Sequence, residues 1–206
     1  MKIAGKNMDK QWFALKARLQ SNPSQDLWDS AYHRFYRERI NTRYLHPIAS
    51  ISDTQSGEGF AIVALFCSLI EFLESCEKGD NFRFTSSGVQ LLPNEYNQTQ
   101  AKSYFKDFLK TRDPFKTLIP LALVDSFYND VRCGLFHEAR TKGTWVISSR
   151  SSKGKLVSQS GGQIILFRRQ LIPALEEYFV EYHKRLLTNT DTQAALIRKF
   201  DFLCTP

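Results

Sequence analysis

One stretch of the sequence, from about Gly57 to Lys78, is too apolar to lie on a protein surface. Between Phe60 and Leu73, apolar residues occur on every side of a helical wheel, which is typical of a buried helix. Gly79 follows directly, and glycine commonly ends a helix. The longest apolar run, FAIVALFCSLI, is about half the length that spans a bilayer. The stretch therefore predicts the central buried helix of the fold.

Two carboxylates occur in this predicted helix. Glu71 interrupts the apolar run, and Glu74 follows on a nearby turn. Burying a carboxylate inside a protein without a partner for its charge costs a large amount of free energy. Glu71 therefore either pairs with an arginine or faces a cleft, and the sequence leaves both alternatives open.

The rest of the chain is mostly helical in its pattern. Two helices are predicted between about Met8 and Tyr44, with Ser24 as the N-cap of the second. Further helices are predicted over QTQAKSYFKDFLKTRDP, over Leu121 to Ala139, and twice after residue 170, the last one capped by Thr190 or Asp191. The segment GTWVISSRSSKGKLVSQSGGQIILF alternates β-branched patches with turn residues, which indicates a small hairpin or meander.

These patterns predict an all-α fold, a helical bundle that carries a small β-hairpin insertion. A chain of 206 residues suits one domain. We therefore expect a single domain over residues 1–206, with an N-terminal helical extension at residues 1–45 and the β insertion at residues 143–168.

Charge and cysteine usage narrow the classes of function. The net charge of +7 and the pI of about 9.3 favour a polyanionic partner such as nucleic acid. The sequence has no Walker A motif, no GxGxxG and no GxSxG, and no His/Cys/Asp cluster has the spacing of a structural zinc site. We therefore predict no cofactor and no metal. The four cysteines form no CxxC pair, and the N-terminus lacks a secretory apolar region, so a cytoplasmic protein without membrane contact is expected.

Basic residues occur along the second predicted helix. Arg34, Arg37, Arg39 and Arg43 cover much of its polar surface. They could form an electropositive ridge that holds RNA or DNA, or they could be an ordinary solvated helix face.

The helix Leu121 to Ala139 has two different sides on a wheel of about 100° per residue. One side is a core-facing stripe made of Val124, Phe127, Tyr128, Val131 and Leu135. The opposite side holds Asn129, Cys133 and Phe136, with Arg132 and His137 at its two edges, about 140° apart. That angle is too large for both side chains to point the same way on one helix. A second subunit could cover this side, and a two-fold dimer would bring two arginines and two histidines into one cleft.

The stretch VRCGLFHEA, followed by a turn, resembles the signature of the HEPN superfamily (higher eukaryotes and prokaryotes nucleotide-binding). That signature is an arginine, four to six residues and a histidine, late in a helical bundle. The resemblance implies a four-helix core, a dimer and, in many members, a metal-independent endoribonuclease of a prokaryotic defence or toxin–antitoxin system. It implies Arg132 and His137 as catalytic residues, with Glu71 as a loose match to an acidic residue of an earlier helix. Cys133 and Ala139 depart from the polar residue and the tyrosine that members often have.

The chemistry of RNA cleavage fits these residue types. The ribose 2′-OH is the nucleophile, so the site must supply a base, an acid and positive charge. Histidine suits the proton transfers, and the arginine fork suits the phosphate. We therefore expect a 2′,3′-cyclic phosphate product, with substrate contacts from Asn129, Cys133, Arg34 and Arg37. The expected partners are a second copy through the motif helix, RNA, and an antitoxin or sensor protein.

Other interpretations of the same residues remain open. Arg132 could pair with Glu71, Asp130 or Glu138, and His137 could cap its own helix. The protein would then be a non-catalytic interaction module, or a nucleic-acid binder that uses the four arginines of the second helix. His33, His46 and His183 are predicted to be surface or packing histidines.

Overall fold

The structure is a computed structural model that describes residues 1–51, 57–86, 89–150 and 152–205. Eight helices occupy these residues, and the predicted mainly helical fold is confirmed. They are α1 Asp9–Ser21, α2 at residues 25–50, α3 Glu58–Lys78, α4 Ala101–Thr111, α5 Phe115–Leu118, α6 at residues 121–138, α7 Leu171–Thr188 and α8 Thr190–Cys204. Short strands and a 3-10 turn at Arg168–Gln170 supply the remaining regular structure.

Two of the helices are composite. In α2, the α-helical pieces Gln25–Ala31, Glu38–Ile40 and His46–Ser50 alternate with the π-helical pieces Tyr32–Arg37 and Asn41–Leu45. In α6, a 3-10 turn at Leu121–Leu123 and a short α-helical piece at Val124–Ser126 lead into π-helical Phe127–Arg132 and α-helical Cys133–Glu138. A π turn contains an extra residue, so it shifts the side chains on either side of it around the helix axis.

The strands form three small sheets. β1 Lys2–Ala4 pairs antiparallel with β2 Asn7–Met8, and β3 Asn81–Phe82 pairs parallel with β4 Glu95–Tyr96. The third sheet contains β5 Trp145–Ser148, β6 Val157–Ser160 and β7 Gln163–Phe167 in the order β5-β7-β6. This sheet is the predicted β insertion. The predicted hairpin is β6 and β7, and β5 adds a parallel strand to it.

The chain divides into two compact units. Unit 1 contains residues 1–47, 73–101 and 180–206, and unit 2 contains residues 48–72 and 102–179. The predicted N-terminal extension, residues 1–45, belongs to unit 1, and the predicted β insertion, residues 143–168, belongs to unit 2. The helices α3 and α7 each contribute residues to both units.

Aromatic rings fill the core of each unit. In unit 1, the ring of Trp12 lies 5.1 Å from that of Phe200, and the indole N–H donates to Asp201 Oδ1 at 2.8 Å. In unit 2, the Phe108 ring lies 5.0 Å from that of Tyr178. Burial of such side chains supplies much of the free energy that offsets the entropy lost on folding.

The central helix α3 begins and ends close to its predicted limits. Its apolar positions Val63, Phe66, Leu69 and Ile70 are completely buried, and Gly79 follows in the left-handed conformation with φ +70°. The helix is longer than its apolar run, and its most apolar 18-residue window has a mean hydropathy of 1.8. By length and composition alone it could therefore cross a membrane, although 56% of that window is buried within the protein, as in the core helix of a globular domain.

The helix caps were predicted in part. The Ser24 side chain accepts a hydrogen bond from the N–H of Leu27, which confirms it as the N-cap of α2. The predicted cap of α8, Thr190 or Asp191, is wrong by one residue or two. Asn189 is the cap, because its Oδ1 accepts from the N–H of Thr192 at 2.8 Å, and asparagine is among the best capping residues.

Two phenylalanines of α6 test this burial pattern. Phe127 is fully buried against Trp145, whereas the side chain of Phe136 is 47% exposed. Phe127→Ala should lower the free energy of unfolding by about 3–5 kcal/mol, because it leaves a cavity in the core. The matched change Phe136→Ala should cost less than about 1 kcal/mol. Urea unfolding followed by circular dichroism measures both, and equal losses would contradict the assigned orientation of α6.

Candidate functional site

The two sides of α6 lie as the sequence predicted. Of the core-facing stripe, Val124, Phe127, Val131 and Leu135 are buried, and Tyr128 is half-buried. On the opposite side Asn129 and Phe136 are exposed, and Cys133 is half-buried. Of the two predicted substrate contacts on this side, the Asn129 amide therefore reaches the surface more fully than the Cys133 thiol.

The end of α6 is closed by its own backbone. Ala139 adopts the left-handed conformation with φ +53°, and its N–H donates to the carbonyl oxygen of Gly134. The N–H of Arg140 also donates to this oxygen, at 3.3 Å. Gly134 permits a close approach of the backbone here, since a Cβ at this position would fall within 3.0 Å of the carbonyl oxygen of Arg140.

Arg132 lies among one carboxylate and two aromatic rings. Its Nη2 is 3.8 Å from Oε2 of Glu71, and its guanidinium carbon is 4.7 Å from the Phe136 ring centre and 5.5 Å from that of Tyr128. Glu71 therefore pairs with an arginine, which was one of its two predicted alternatives. A separation of 3.8 Å is an ion pair without a hydrogen bond. Among the described residues Arg132 makes no hydrogen bond, and its side chain is 22% exposed.

The other two acids suggested for Arg132 are not its partners. Glu138 instead pairs with Lys142 and with Arg140, whose Nη2 lies 3.0 Å from Glu138 Oε2. The hydrogen bonds from Lys142 and Arg140 hold the pKa of the Glu138 carboxyl below its usual range. No ion pair joins Arg132 to Asp130 in the described part of the chain. Of the three acids that the sequence offered as partners for Arg132, Glu71 is the one that forms the ion pair.

His137 is exposed on the last turn of α6. Within residues 1–51, 57–86, 89–150 and 152–205 it makes no hydrogen bond, no ion pair and no ring contact. It does not cap its helix, because the N–H groups of Ala139 and Arg140 already close that end. No contact joins His137 to Arg132 either, in agreement with their separation of about 140° on the helix wheel. The imidazole is open to solvent and to a bound ligand.

Neutral groups surround the ion pair of Arg132 and Glu71. Burial raises the pKa of the Tyr128 hydroxyl, with the positive charge of Arg132 opposing this effect. Burial also raises the pKa of the Cys67 thiol well above its usual range. Both groups are therefore protonated at neutral pH, and Cys67 is not a nucleophile.

The arginines of α2 do not form a continuous ridge. Arg39 donates to the carbonyl oxygen of Ile3 at 2.6 Å, and its burial lowers its pKa to about 10. Arg37 is half-buried, whereas Arg34 and Arg43 are exposed. Arg34 and Arg37 belong to unit 1, and the residues of the α6 site belong to unit 2. The arginines that reach the surface of α2 are therefore fewer than the sequence suggested.

A second cluster of polar side chains was not predicted. Asp29 and His33 of α2 and His183 of α7 have their ligand atoms within 4.8 Å of one another. Oδ1 of Asp29 lies 3.4 Å from Nε2 of His33 and 3.0 Å from Nε2 of His183. The sequence does contain the i, i+4 pair of Asp29 and His33, which places both on one helix face. His183 is distant in sequence, so only tertiary structure brings it to this pair.

A polar depression of about 460 Å³ was also missed. Its walls include Glu58, Gly59, Ile147 and Arg168. Nη2 of Arg168 donates to Glu58 Oε1 at 2.8 Å, and the side chain of Arg168 is almost fully buried. The two opposite charges already compensate each other, so this depression offers no uncompensated charge to a ligand.

The described residues define a mainly helical protein with a small three-stranded β insertion. No family model, no curated protein and no solved structure matches the chain. The two clusters, one on α6 with Glu71 and the other formed by α2 and α7, are therefore interpreted from their own geometry.

Two small residues of α6 allow a stability test of its C-terminal end. Gly134→Ala should lower the free energy of unfolding by about 1–3 kcal/mol, because the new methyl group overlaps the carbonyl oxygen of Arg140. Ala139→Gly should leave stability unchanged or raise it by up to about 1 kcal/mol, since glycine adopts the left-handed conformation without strain. Thermal and urea unfolding measure both changes, and a destabilising Ala139→Gly would contradict this backbone conformation.

Proposed function

We propose that this protein is a metal-independent endoribonuclease whose active site is formed by α6 of two copies of the chain. One observation carries the proposal: on the same short helix, Arg132 is positioned without any hydrogen bond and His137 is exposed without any partner, among the described residues. A cation and an imidazole that are both available to a ligand are the groups that RNA cleavage needs. The resemblance of residues 127–141 to the HEPN signature supports the same conclusion.

The reaction is an internal transfer at phosphorus. The neutral imidazole of His137 from one copy accepts the proton of the ribose 2′-OH, and the 2′-oxygen forms a bond to phosphorus. The bond from phosphorus to the 5′-oxygen breaks, and the protonated His137 of the second copy gives its proton to that oxygen. The products are a 2′,3′-cyclic phosphate and a 5′-OH. All their heavy atoms come from the RNA, and only protons are exchanged with the two histidines.

Arg132 stabilises the charge that develops on the phosphorane oxygens. Its planar guanidinium stays charged at all relevant pH values and donates two parallel hydrogen bonds to a phosphate. Glu71 lies close enough to orient the guanidinium, yet at 3.8 Å it leaves the N–H donors unused. The faces of Tyr128 and Phe136 restrict the guanidinium further. We therefore assign Glu71 the role of a positioning residue.

The geometry of a single helix supports the proposed dimer. Two side chains about 140° apart on one helix cannot both reach one phosphodiester. A two-fold axis next to α6 places Arg132 of one copy beside His137 of the other, and it covers the exposed ring of Phe136. Asn129 and Cys133 lie on the same side and are the proposed substrate contacts.

The biological setting is proposed on the resemblance alone. HEPN-type nucleases act in prokaryotic defence and toxin–antitoxin systems, so we propose an RNA substrate and an antitoxin or sensor protein that restrains the activity. A cytoplasmic location stays a prediction from the cysteine pattern. The net charge of +7 supports binding to RNA of any sequence.

The catalytic assignment is tested by RNA cleavage. His137→Ala should lower the cleavage rate by at least about 100-fold, because a positioned acid–base group contributes that much or more. Arg132→Ala should have an effect of about 100- to 1000-fold, because it removes the charge at the phosphate. The cleavage of a labelled RNA should yield a 2′,3′-cyclic phosphate. In assays at temperatures well below the unfolding temperature, excess EDTA should leave the cleavage rate unchanged.

The matched controls for this experiment are an exposed histidine and an exposed arginine of unit 1. His46→Ala and Arg18→Ala should cleave RNA at the parental rate. A His137→Ala variant as active as the parent would overturn the proposal. A parent that is dimeric but inactive on all RNA would instead favour a non-catalytic interaction module, for which the pairing of Arg132 with Glu71 is the supporting observation.

The dimer is tested by a charge on α6. Phe136→Lys places two like charges next to the proposed two-fold axis, beside Arg132 of each copy, and should weaken dimerisation at least about tenfold. Phe13→Lys is the matched control, because Phe13 is an equally exposed phenylalanine, at 45%, in unit 1. Sedimentation velocity over a range of concentrations measures the effect. A dimer that survives Phe136→Lys, or dissociates equally with Phe13→Lys, would place the interface elsewhere.

A further inference from the structure

Three side chains of unit 1 converge although they come from two distant helices. Asp29 and His33 lie one turn apart on α2, and His183 comes from α7. Oδ1 of Asp29 is the common neighbour, at 3.4 Å from Nε2 of His33 and 3.0 Å from Nε2 of His183. A carboxylate oxygen and two imidazole nitrogens are therefore gathered around one point.

The pair of Asp29 and His183 does not have the geometry of a hydrogen bond. Nε2 of His183 is buried and makes no hydrogen bond among the described residues, although the Asp29 oxygen is only 3.0 Å away. At this short separation, the oxygen must lie off the direction in which a ring N–H would point. A buried ring nitrogen that is left in this way would be costly unless another group completes its coordination.

A shared metal ion explains both the distances and the direction. Zinc lies about 2.0–2.1 Å from nitrogen and oxygen ligands, so two ligands of one tetrahedral zinc are about 3.3 Å apart. In such a site the lone pair of each ligand atom points at the metal, so it does not point at the neighbouring ligand atom. The two measured separations, 3.0 and 3.4 Å, lie on either side of this value.

We propose that Asp29, His33 and His183 bind one divalent transition-metal ion, with Zn²⁺ as the ion that this ligand set fits best. Two imidazoles and one carboxylate suit zinc, whereas Mg²⁺ and Ca²⁺ take oxygen ligands. Three protein ligands leave the fourth position of a tetrahedral ion open to water or to a ligand from outside the chain. The proposal does not depend on the proposed function, because none of its residues belongs to the α6 site.

Ring contacts hold the two histidines in place. The ring of His183 stacks on that of Tyr32, with centres 4.1 Å apart and planes 12° apart. The His33 ring meets Tyr32 edge-on at 4.9 Å and His183 edge-on at 5.2 Å. Tyr32 is buried, and it begins the π-helical piece Tyr32–Arg37, a distortion that is frequent at functional sites. These ring contacts restrict the orientation of both imidazoles before a metal binds.

A bound divalent ion would join α2 and α7 within unit 1, so it should also stabilise that unit.

The experiment uses the full chain after removal of metal with a chelator. Titration with Zn²⁺ against a chromophoric competitor should give one ion per chain, and Zn²⁺ should raise the unfolding temperature. His33→Ala and His183→Ala should each lower the affinity at least about 100-fold, since loss of even an outer partner of a metal ligand costs about 10- to 100-fold. Co²⁺ should give the visible absorption of a tetrahedral site in the parent, and this absorption should be lost in His33→Ala and His183→Ala.

Two histidines outside the cluster serve as matched controls. His46→Ala and His137→Ala should bind Zn²⁺ as the parent does, and the second of these also separates this site from the α6 site. His33 is 58% exposed, so His33→Ala should fold even if His183→Ala does not, and circular dichroism checks both. The proposal is overturned if the parent binds Zn²⁺ no better than folded His33→Ala, or if a control variant loses the ion equally.

Discussion

The ion pair between Glu71 and Arg132 is the interaction on which the α6 site depends. Glu71 interrupts the most apolar helix of the protein, where a lone carboxylate would be strongly destabilising. Arg132 compensates this charge from α6, and because the two groups must face each other, the register of α6 in unit 2 is restricted. Once Arg132 points to Glu71, helical geometry turns His137, about 140° away, in another direction, and His137 is exposed. A structural need of the buried helix thus also determines which side chains of α6 a ligand can reach.

The elements that were predicted correctly are those with a local cause. The apolar run predicted α3, the stripe of Val124, Phe127, Val131 and Leu135 predicted the buried side of α6, and Ser24 predicted the start of α2. The errors occur where several residues compete for one role or where the partner is distant. Asn189 precedes Thr190 and caps α8 in its place. The parallel pairing of β5 with β7 passes over β6 in the sequence, because β7 is the central strand of the sheet, and alternation along one strand cannot predict this order.

The candidate sites follow the same division. The wheel of one helix placed Asn129 and Phe136 opposite the buried stripe and separated Arg132 from His137, because these relations depend only on residue spacing. It could not decide which of three acids pairs with Arg132, since that depends on α3 packing beside α6. The His183 cluster was beyond any local pattern for the same reason. The absence of zinc-ligand spacing along the sequence argues only against a site built from one segment. It does not bear on a site such as that of His183, whose residues are brought together by the tertiary structure.

The two histidine environments suit different chemistry. His183 has its Nε2 buried beside Asp29, and its ring is stacked on that of Tyr32. Those properties favour a metal ligand and disfavour an acid–base group, which must gain and lose a proton in each turnover. His137 is exposed and without a partner among the described residues, so a proton can reach it and a substrate can orient it. An exposed imidazole suits proton transfer, whereas a ring that is fixed by its neighbours suits a metal ligand, and this contrast is the physical reason for the two different proposals.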